Sequence, residues 1–267
     1  MLYRMYVKQK ASNWTLFAFI ALVSFTSPLF ANNCESSSPQ ERLKVAHIYD
    51  GDTIKLMDGR KLRLIGINTP ERGRDGKKDE PFYLAAKNQL QQIIHKNNNQ
   101  IKVLFGKDQR DRYKRWLAHI FTLDNKNITA ELIKKGLGFA IAIPPNIRFL
   151  KCYQDAEHYA QKQKLGIWNH QYSHAIPVDS LKNSASGFLQ VKGIVQRVGE
   201  SRTSFWLNLN PKFALRILKK DLTYFSKYRP KDLLKQRLIA RGWIYKRKNK
   251  QRMTIHHPAA LQIQNTD

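Results

Sequence analysis

The sequence has few acidic residues. Only 20 aspartates and glutamates stand against 47 lysines and arginines among 267 residues, and the formal net charge is +27. Aromatic residues make up 11% of the chain, which argues against a disordered basic tail and indicates a folded protein. A strongly positive surface attracts polyanions, so nucleic acid is the first expected partner, followed by anionic membrane or cell-wall polymer. A basic surface that serves only solubility is the alternative.

Cysteine and well-placed histidine are also scarce. The two cysteines, Cys34 and Cys152, allow one disulfide, which we expect if the chain enters an oxidising compartment. His119, His256 and His257 lack a convincing set of neighbouring metal ligands, and we interpret them as ordinary strand or turn residues. No segment resembles a base-reading helix, so we expect little sequence specificity.

The one long apolar run lies at the N-terminus. Three basic residues, Arg4, Lys8 and Lys10, precede the run from Trp14 to Phe30. This pattern is typical of a signal peptide, which we assign to residues 1–31. The run is close to the minimum length of a membrane-spanning helix, so an uncleaved anchor is the alternative. Both interpretations predict export, to the periplasm or the medium.

Residues 40–170 show the alternation of half-buried strands, followed by helical periodicity. Asp58-Gly59 is a hairpin signal between the second and third strands. Three strands, a helix, two strands and further helices are the element order of an oligonucleotide-binding (OB) barrel with appended helices, a mainly β fold with some α. The predicted strands are Val45–Tyr49, Thr53–Met57, Leu62–Ile67, Gln100–Phe105 and Trp116–Leu123, and the predicted helices are Phe82–His95, Ile128–Lys135 and Phe149–Lys164.

A second β-rich region follows. Residues 171–186 are mostly polar or small, and we interpret them as a linker. Residues 187–265 repeat the strand-rich order, which predicts a second, small OB-like barrel that binds nucleic acid. Its predicted strands are Phe188–Val198, Phe205–Leu209, Phe213–Leu218, Arg237–Tyr245 and Arg252–Ile263, with a short helical stretch at Lys231–Lys235.

This second region carries about half of the excess charge. Eighteen basic and four acidic residues occur from Ser186 onward, a net charge of +14. We predict that Lys246–Arg252 is a loop that binds a single-strand backbone; a solvated hairpin is the alternative. Its candidate binding residues are Lys246, Arg247, Lys248 and Lys250. Trp206, Trp243 and Tyr245 offer stacking faces, although we favour a core position for the two tryptophans.

Three segments come in a specific order: Tyr49–Ile54, Arg63–Glu71 and Asp111–Ala118. Each is weak alone, because Asp-Gly-Asp occurs in turns and Thr-Pro-Glu begins many helices. Together, with Lys164–Trp168 closing the region, they resemble the staphylococcal nuclease (thermonuclease) family. The resemblance covers about Arg42–His170, roughly half of the chain.

The resemblance implies a calcium-dependent nuclease. Asp52 matches the family's calcium-binding aspartate, and Asn68 and Thr69 complete the implied metal site. Arg63 and Arg115 match two arginines that grip the scissile phosphate, where planar guanidinium forks suit the charge that grows on phosphorus.

The implied chemistry is in-line attack of water on phosphorus. Glu71 matches the carboxylate that orients or deprotonates this water. Tyr113 matches a tyrosine beside the bound phosphate, with Arg112 at a position where lysine is common. The metal is expected to neutralise one phosphate oxygen while the 5′ oxygen leaves, so that products end in 3′-phosphate.

The sequence departs from the family at three places. Asn68 stands where the family commonly has aspartate, which removes a charged calcium ligand and predicts weaker calcium binding, with activity at millimolar metal. Lys114 replaces a usual glycine, and Gly138–Ile143 lacks a base-stacking tyrosine, so the resemblance implies no base preference.

Two other functions stay open at this stage. A non-catalytic single-strand-binding protein with an impaired metal site would bind nucleic acid without cleaving it. A cell-envelope protein would use its charge on anionic surfaces, with the nuclease fold as scaffolding. The charged residues of the motifs are also compatible with surface ion pairs, Arg63 with Glu71 and Arg115 with Asp111.

Overall fold

The computed structural model describes residues 34–36, 40–73, 75–226 and 228–264. The predicted signal segment, residues 1–31, lies outside these ranges. Among the residues described, no helix is both long and apolar enough to span a membrane.

The first part of the described chain contains a closed five-stranded barrel. Its elements are β1 (Glu41–Ile48), β2 (Thr53–Leu56), β3 (Lys61–Leu64), β4 (Ile67–Asn68), α1 (Tyr83–Lys96), β5 (Gln100–Arg110), β6 (Trp116–Phe121), α2 (Ile128–Lys134), β7 (Phe139–Ala140) and α3 (Leu150–Lys162). The barrel order is β1-β2-β3-β6-β5, with β3 and β6 parallel and the other neighbours antiparallel. The predicted OB barrel with appended helices is confirmed.

The predicted strand Leu62–Ile67 is interrupted. Gly66 has a φ of 90°, and a Cβ at this position would lie 2.1 Å from the ring of Tyr153. The chain turns at this glycine, leaving β3 at Leu64, and resumes as β4, which pairs with β7 instead of the barrel. The turn brings Asn68 back across the barrel end.

Two barrel strands are longer than predicted. β1 begins at Glu41 because its first residues pair with β5, and β5 continues past Phe105, through a bulge, to Arg110. Residues 107–110 are exposed, so no apolar alternation marked this extension.

The second sheet curls into a half-barrel. Its strands are β8 (Ile176–Pro177), β9 (Gly187–Ile194), β10 (Arg197–Glu200), β11 (Ser204–Asn208), β12 (Phe213–Leu218), β13 (Arg237–Arg247), β14 (Lys250–Ile255) and β15 (Leu261–Gln264). The order is β10-β11-β12-β14-β13-β9-β8, and β12 and β14 are parallel. β9 and β10 follow each other directly in the chain and together take the place that β1 has in the first barrel. With this correspondence, the strand order of the second sheet matches that of the first barrel.

Several predicted boundaries in this second region differ from the structure. Residues 171–186 contain short 3-10 turns and the strand β8, which pairs with β9, so they are an ordered connection. The predicted strand Phe188–Val198 is two strands, and Arg252–Ile263 is divided by a turn at Pro258–Ala260. Short strands contain too few residues for the alternation of apolar and polar side chains to show where they begin and end.

An aromatic cluster joins the two sheets. The Phe139 ring on β7 lies 5.2 Å from Phe188 on β9, 5.3 Å from Trp168 and 5.9 Å from Tyr172, measured between centroids. Phe188 in turn contacts the Trp243 ring at 5.0 Å. These contacts pack the second sheet against the first region. Aromatic pairs of this kind contribute stability in addition to that of the apolar area they bury.

A buried ion pair crosses the same junction. Arg241 on β13 donates two hydrogen bonds of 2.7 Å to the carboxylate of Glu157 on α3. Glu157 Oε1 also accepts from the backbone N–H of Ala140 at 2.8 Å, and Ala140 pairs with Ile67 on β4. The second sheet is therefore linked to β4, the strand that carries Asn68, through Glu157 and Ala140.

The disulfide expected between Cys34 and Cys152 is present, with a Cα–Cα distance of 5.3 Å. It connects the segment before β1 to α3, across a sequence separation of 118 residues. Cys34 also packs against the barrel core. The bridge fixes the start of the described chain to the first domain.

The three histidines have structural partners, as interpreted. His119 Nδ1 lies 2.8 Å from Tyr153 Oη, and burial, with a smaller effect of a nearby arginine, lowers the pKa of His119 to about 3. His256 pairs with Asp221 at 2.8 Å, and His257 accepts a hydrogen bond from the backbone two residues later. His119 is therefore uncharged at neutral pH.

We predict that Arg241→Leu lowers the free energy of unfolding by about 3–5 kcal/mol, because it leaves the Glu157 carboxylate buried without its partner. Adding Glu157→Gln should recover part of this loss, since glutamine still accepts from Ala140 and carries no charge. Urea unfolding of both variants measures the difference. Equal stability of the single and double variants would contradict the prediction.

Candidate active site

An acidic turn between β1 and β2 forms the floor of the site. Asp52 is 1% exposed, and its backbone N–H donates to Asp50 Oδ1 at 3.0 Å. Gly51 separates the two aspartates, and a Cβ there would lie 2.7 Å from Ala86 on α1 and 2.8 Å from Thr69. Only glycine allows the helix and the loop after β4 to approach the turn this closely.

The Asp52 carboxylate is held by donors from three segments. Thr69 donates to Oδ2 through its backbone N–H at 2.9 Å and its hydroxyl at 3.0 Å. Thr53 donates to Oδ1 at 3.0 Å, and Arg63 Nη1 lies 3.0 Å from Oδ2. A buried carboxylate needs such partners.

The Arg63 guanidinium is almost entirely enclosed. Besides Asp52, its Nη1 donates to the carbonyls of Leu64 at 3.1 Å and Ile67 at 2.9 Å. Its Nη2 donates to Asn68 Oδ1 at 3.2 Å. The turn at residue 66 creates this enclosure, because it brings the Ile67 carbonyl and the Asn68 amide back over β3. The sequence analysis allowed a surface ion pair of Arg63 with Glu71; in the structure Arg63 instead forms a buried ion pair with Asp52.

Arg115 reaches the same floor from a more open position. Its Nε and Nη2 bind Asp111 Oδ2 at 2.8 and 2.7 Å, so the considered ion pair with Asp111 is present. Its Nη1 lies 3.5 Å from the Thr53 hydroxyl, which itself donates to Asp52. Thr53 therefore contacts both Arg115 and Asp52, the partner of Arg63. The sequence motifs alone did not reveal this role.

Tyr113 lies on the open side of the site and is 64% exposed. Arg112 Nη2 donates to its hydroxyl at 2.7 Å, and the Arg115 guanidinium lies 5.5 Å from its ring centroid. Lys114, where the resemblance implies glycine, has a φ of 62°. The turn keeps the left-handed backbone that glycine favours, at some cost for lysine.

Glu71 is exposed on the loop after β4, and the backbone of this residue is clamped. Glu80 Oε2 accepts from the Glu71 N–H at 2.8 Å, and the Glu80 N–H donates to the Glu71 carbonyl at 3.0 Å. Tyr172, in the segment before the second sheet, donates to Glu80 Oε2 at 2.7 Å. Burial and the Glu80 carboxylate raise the pKa of Tyr172, so its hydroxyl stays a donor. Neither Glu80 nor Tyr172 was predicted from the sequence.

The oxygen donors fit a hard cation. Burial raises the pKa of Asp50 to about 7, and the charges of Asp52 and Glu71 add to this rise, which a bound cation would oppose. Carboxylate and amide oxygens, here of Asp50, Asp52 and Asn68, are the ligands that calcium prefers. In the described ranges, no group of three or more histidine, cysteine, aspartate or glutamate side chains lies close enough together to hold a metal ion.

The basic segment predicted as a loop in the second region is mostly strand. β13 continues to Arg247 and β14 begins at Lys250, so only Lys248 and Asn249 form the turn, both with positive φ. Two-residue hairpins require this backbone, which asparagine tolerates well. The four predicted binding residues, Lys246, Arg247, Lys248 and Lys250, are all exposed at this hairpin end.

The two site arginines should differ in their effect on stability. We predict that Arg63→Ala costs about 3–5 kcal/mol of unfolding free energy, because it strands a buried carboxylate and two carbonyls. Arg115→Ala should cost about 1 kcal/mol or less, since the Arg115 side chain is 28% exposed and its pair is partly solvated. Urea titrations of the two variants test this contrast, and similar losses would argue against the buried network.

Known proteins match a part of the chain that contains both site arginines and Glu71. The family model for staphylococcal nuclease homologues matches residues 61–170. A thermonuclease of Staphylococcus intermedius is 33% identical over 131 residues, covering 48% of this chain and 76% of that protein. A thermonuclease of Staphylococcus hyicus is 31% identical over 137 residues, covering 50% and 79%.

A protein of Escherichia coli O157:H7 described as an uncharacterized endonuclease is 27% identical over 129 residues, covering 47% of this chain and 76% of that protein. The family match ends at His170, before the second sheet. Residues 61–170 contain three of the five barrel strands, β3, β5 and β6, and they include Arg63, Glu71 and Arg115. The chain therefore belongs to the staphylococcal nuclease family and is a nuclease, a hydrolase of the thermonuclease type.

Proposed function

We propose that the protein is an exported, calcium-dependent endonuclease that cleaves DNA, RNA or both with little sequence specificity and leaves 3′-phosphate ends. The observation that supports this most is the approach of two arginines to one carboxylate. Arg63 Nη1 lies 3.0 Å from Asp52, and Arg115 Nη1 lies 3.5 Å from the Thr53 hydroxyl that donates to the same carboxylate. An anionic phosphate near the metal position would meet both guanidiniums.

The metal would be held by Asp52 and Asn68, with Asp50 beside them, and Thr69 orients Asp52 through its two hydrogen bonds. Calcium, when bound, supplies positive charge to a phosphate oxygen. The Asn68 amide also accepts a hydrogen bond from Arg63, which fixes the position of its oxygen. A neutral amide provides less attraction for the cation than a second carboxylate, so weak calcium binding is part of the proposal.

The two arginines would divide the work. Arg63 is fixed by four contacts, so it offers a preorganised positive charge that needs no rearrangement during reaction. Arg115 is partly solvated, and it can exchange its Asp111 contact for phosphate oxygens in a forked geometry. Tyr113 and Arg112 border this open side, where the substrate strand would enter.

Glu71 would accept the proton of the attacking water. Its carboxylate is exposed, while its backbone is fixed on both sides by Glu80. Tyr172 holds Glu80 in turn, so the position of Glu71 depends on the segment between the two sheets. A general base needs this positioning because misplacement by about 1 Å can cost about a hundredfold in rate.

Export is supported by the disulfide between Cys34 and Cys152, since such bonds persist in oxidising compartments. The basic, apolar segment of residues 1–31 would direct it. Whether this segment is removed or retained as an anchor decides between a free and a membrane-attached enzyme, in the periplasm or the medium.

Cleavage of single-stranded and duplex DNA and RNA tests the residue assignment. We predict that Glu71→Gln and Arg115→Lys each lower kcat by about a hundred- to a thousandfold, because a base or a forked donor is lost while folding is retained. Arg42→Lys, the same exchange at an exposed residue of β1, is the matched control and should cleave normally. Product ends are read by their acceptance of a kinase-catalysed 5′ label and by mass spectrometry.

Unchanged cleavage by both site variants would refute the assignment. Salt-sensitive binding without cleavage by any form, at any calcium concentration, would instead support the non-catalytic single-strand-binding function. Retention on anionic vesicles without competition by DNA would favour the cell-envelope function.

Asn68→Asp tests the metal site separately. We predict that it lowers the calcium concentration needed for half-maximal cleavage, because it restores a negative ligand beside Asp52. Isothermal titration with calcium in the absence of substrate should show the same shift. Unaltered calcium affinity in both measurements would exclude residue 68 as a ligand.

A further inference from the structure

The outer face of the second sheet carries a tryptophan between two arginines. Along β11, Phe205 and Leu207 are buried in the core of the sheet, so Trp206 faces outward. Trp206 pairs across the sheet with Arg216 on β12, and the parallel strand β14 places Arg252 on the same outward side. The sequence interpretation that favoured a core position for Trp206 is therefore wrong, and so is the one for Trp243, which is 41% exposed although its ring contacts Phe188.

The geometry of this group is well defined. The Arg252 guanidinium carbon lies 4.7 Å from the Trp206 ring centroid, and that of Arg216 lies 5.4 Å from it. Arg216 Nε donates to Ser204 Oγ at 2.8 Å, and the indole N–H donates to Ser201 Oγ at 3.4 Å. The indole and the Arg216 guanidinium are thus oriented by hydrogen bonds, and the face presents flat π surfaces beside fixed positive charge.

The charge around this group is almost entirely of one sign. Exposed Arg197 begins β10, exposed Arg202 lies in the turn between β10 and β11, and the basic hairpin at residues 246–250 joins β13 to β14. The only acidic residue on β9 to β14 is Glu200, which pairs with Lys219 at 2.7 Å and Lys231 at 3.3 Å. Little negative charge remains on the face to oppose a polyanion.

We propose that the outer face formed by Trp206, Arg216 and Arg252 binds single-stranded nucleic acid and holds the strand that the nuclease cleaves, an inference that rests on the proposed function. Unpaired bases can stack on an indole or a guanidinium plane, while their phosphates meet the surrounding arginines. In a duplex the base faces are stacked on each other, so they are not available to the indole and the contacts of the arginines with phosphates would remain. An anionic lipid surface would attract the arginines but offers no bases that could stack on the indole.

Binding experiments separate these partners. The full protein is titrated with an oligothymidylate of about 20 nucleotides, with an abasic strand of equal length and charge, and with duplex DNA. Fluorescence anisotropy gives the dissociation constants, tryptophan fluorescence reports stacking, and gels confirm that the strands stay intact. Vesicles rich in phosphatidylglycerol serve as the polyanionic surface without bases.

Trp206→Leu should weaken binding of the oligothymidylate about 5- to 100-fold and leave binding of the abasic strand unchanged. Trp206→Phe should retain most of the affinity, because a ring remains, and should lose the part of the fluorescence quenching that belongs to residue 206. This second variant keeps the test meaningful if leucine disturbs the sheet.

Arg252→Gln should weaken binding of all strands and reduce the slope of log K against log salt by about 0.7, the contribution of one single-strand phosphate contact. The matched control is Arg237→Gln, which removes the same charge from an exposed residue at the far end of β13. The control should bind normally. Equal effects of the two variants would show that net charge alone acts and would overturn the proposal.

The inference and the proposed function fail in different assays. If the face holds the substrate, Trp206→Leu raises KM for long single strands, leaves kcat unchanged, and does not affect cleavage of a dinucleotide too short to reach the face. Unchanged cleavage by Glu71→Gln, together with strand binding that still depends on Trp206, would refute the proposed residue assignment and support the inference. Equal oligothymidylate affinity of wild type and Trp206→Leu, or an effect of this variant on vesicle binding alone, would overturn it.

Discussion

A single buried carboxylate, that of Asp52, organises the end of the barrel that carries the candidate site. It lies out of contact with water, and a negative charge in such a place is tolerated only when donors surround it. Those donors come from β2, from β3 and from the loop after β4, through Thr53, Arg63 and Thr69. The need to satisfy one charge therefore fixes three segments relative to each other, and it does so where the substrate phosphate is proposed to bind.

The same requirement gives the two arginines different characters. Arg63 is part of the structure as well as of the proposed chemistry, because its guanidinium neutralises Asp52 and donates to the Leu64 and Ile67 carbonyls on either side of the turn at Gly66. Arg115 makes its contacts at a partly solvated surface, where exchange of partners costs little. The fixed guanidinium of Arg63 and the adaptable guanidinium of Arg115 therefore both lie near the Asp52 carboxylate.

The second sheet is coupled to that space by contacts that the first domain does not make alone. Arg241 holds Glu157, which holds the backbone of β7 at Ala140, and β7 pairs with the strand that supplies a carbonyl to the buried arginine. Tyr172, from the connecting segment, holds the carboxylate that clamps the Glu71 backbone. Through these contacts the second sheet helps to position the candidate site of the first region. Its outer face, which is basic, points away from its own core.

The sequence alone determined the elements with strong local signals. Alternating apolar residues marked the barrel strands, helical periodicity marked α1 to α3, and three ordered motifs indicated the family and the two arginines. Tertiary structure decided the rest, because it depends on contacts between residues far apart in the chain. The approach of Tyr153 to Gly66 ends β3, the packing of Phe139 against Phe188 orders the connection between the sheets, and the pairing of β11 with β12 turns Trp206 outward. Alternation within a strand reports two faces, but only the assembled sheet decides which of them meets the core.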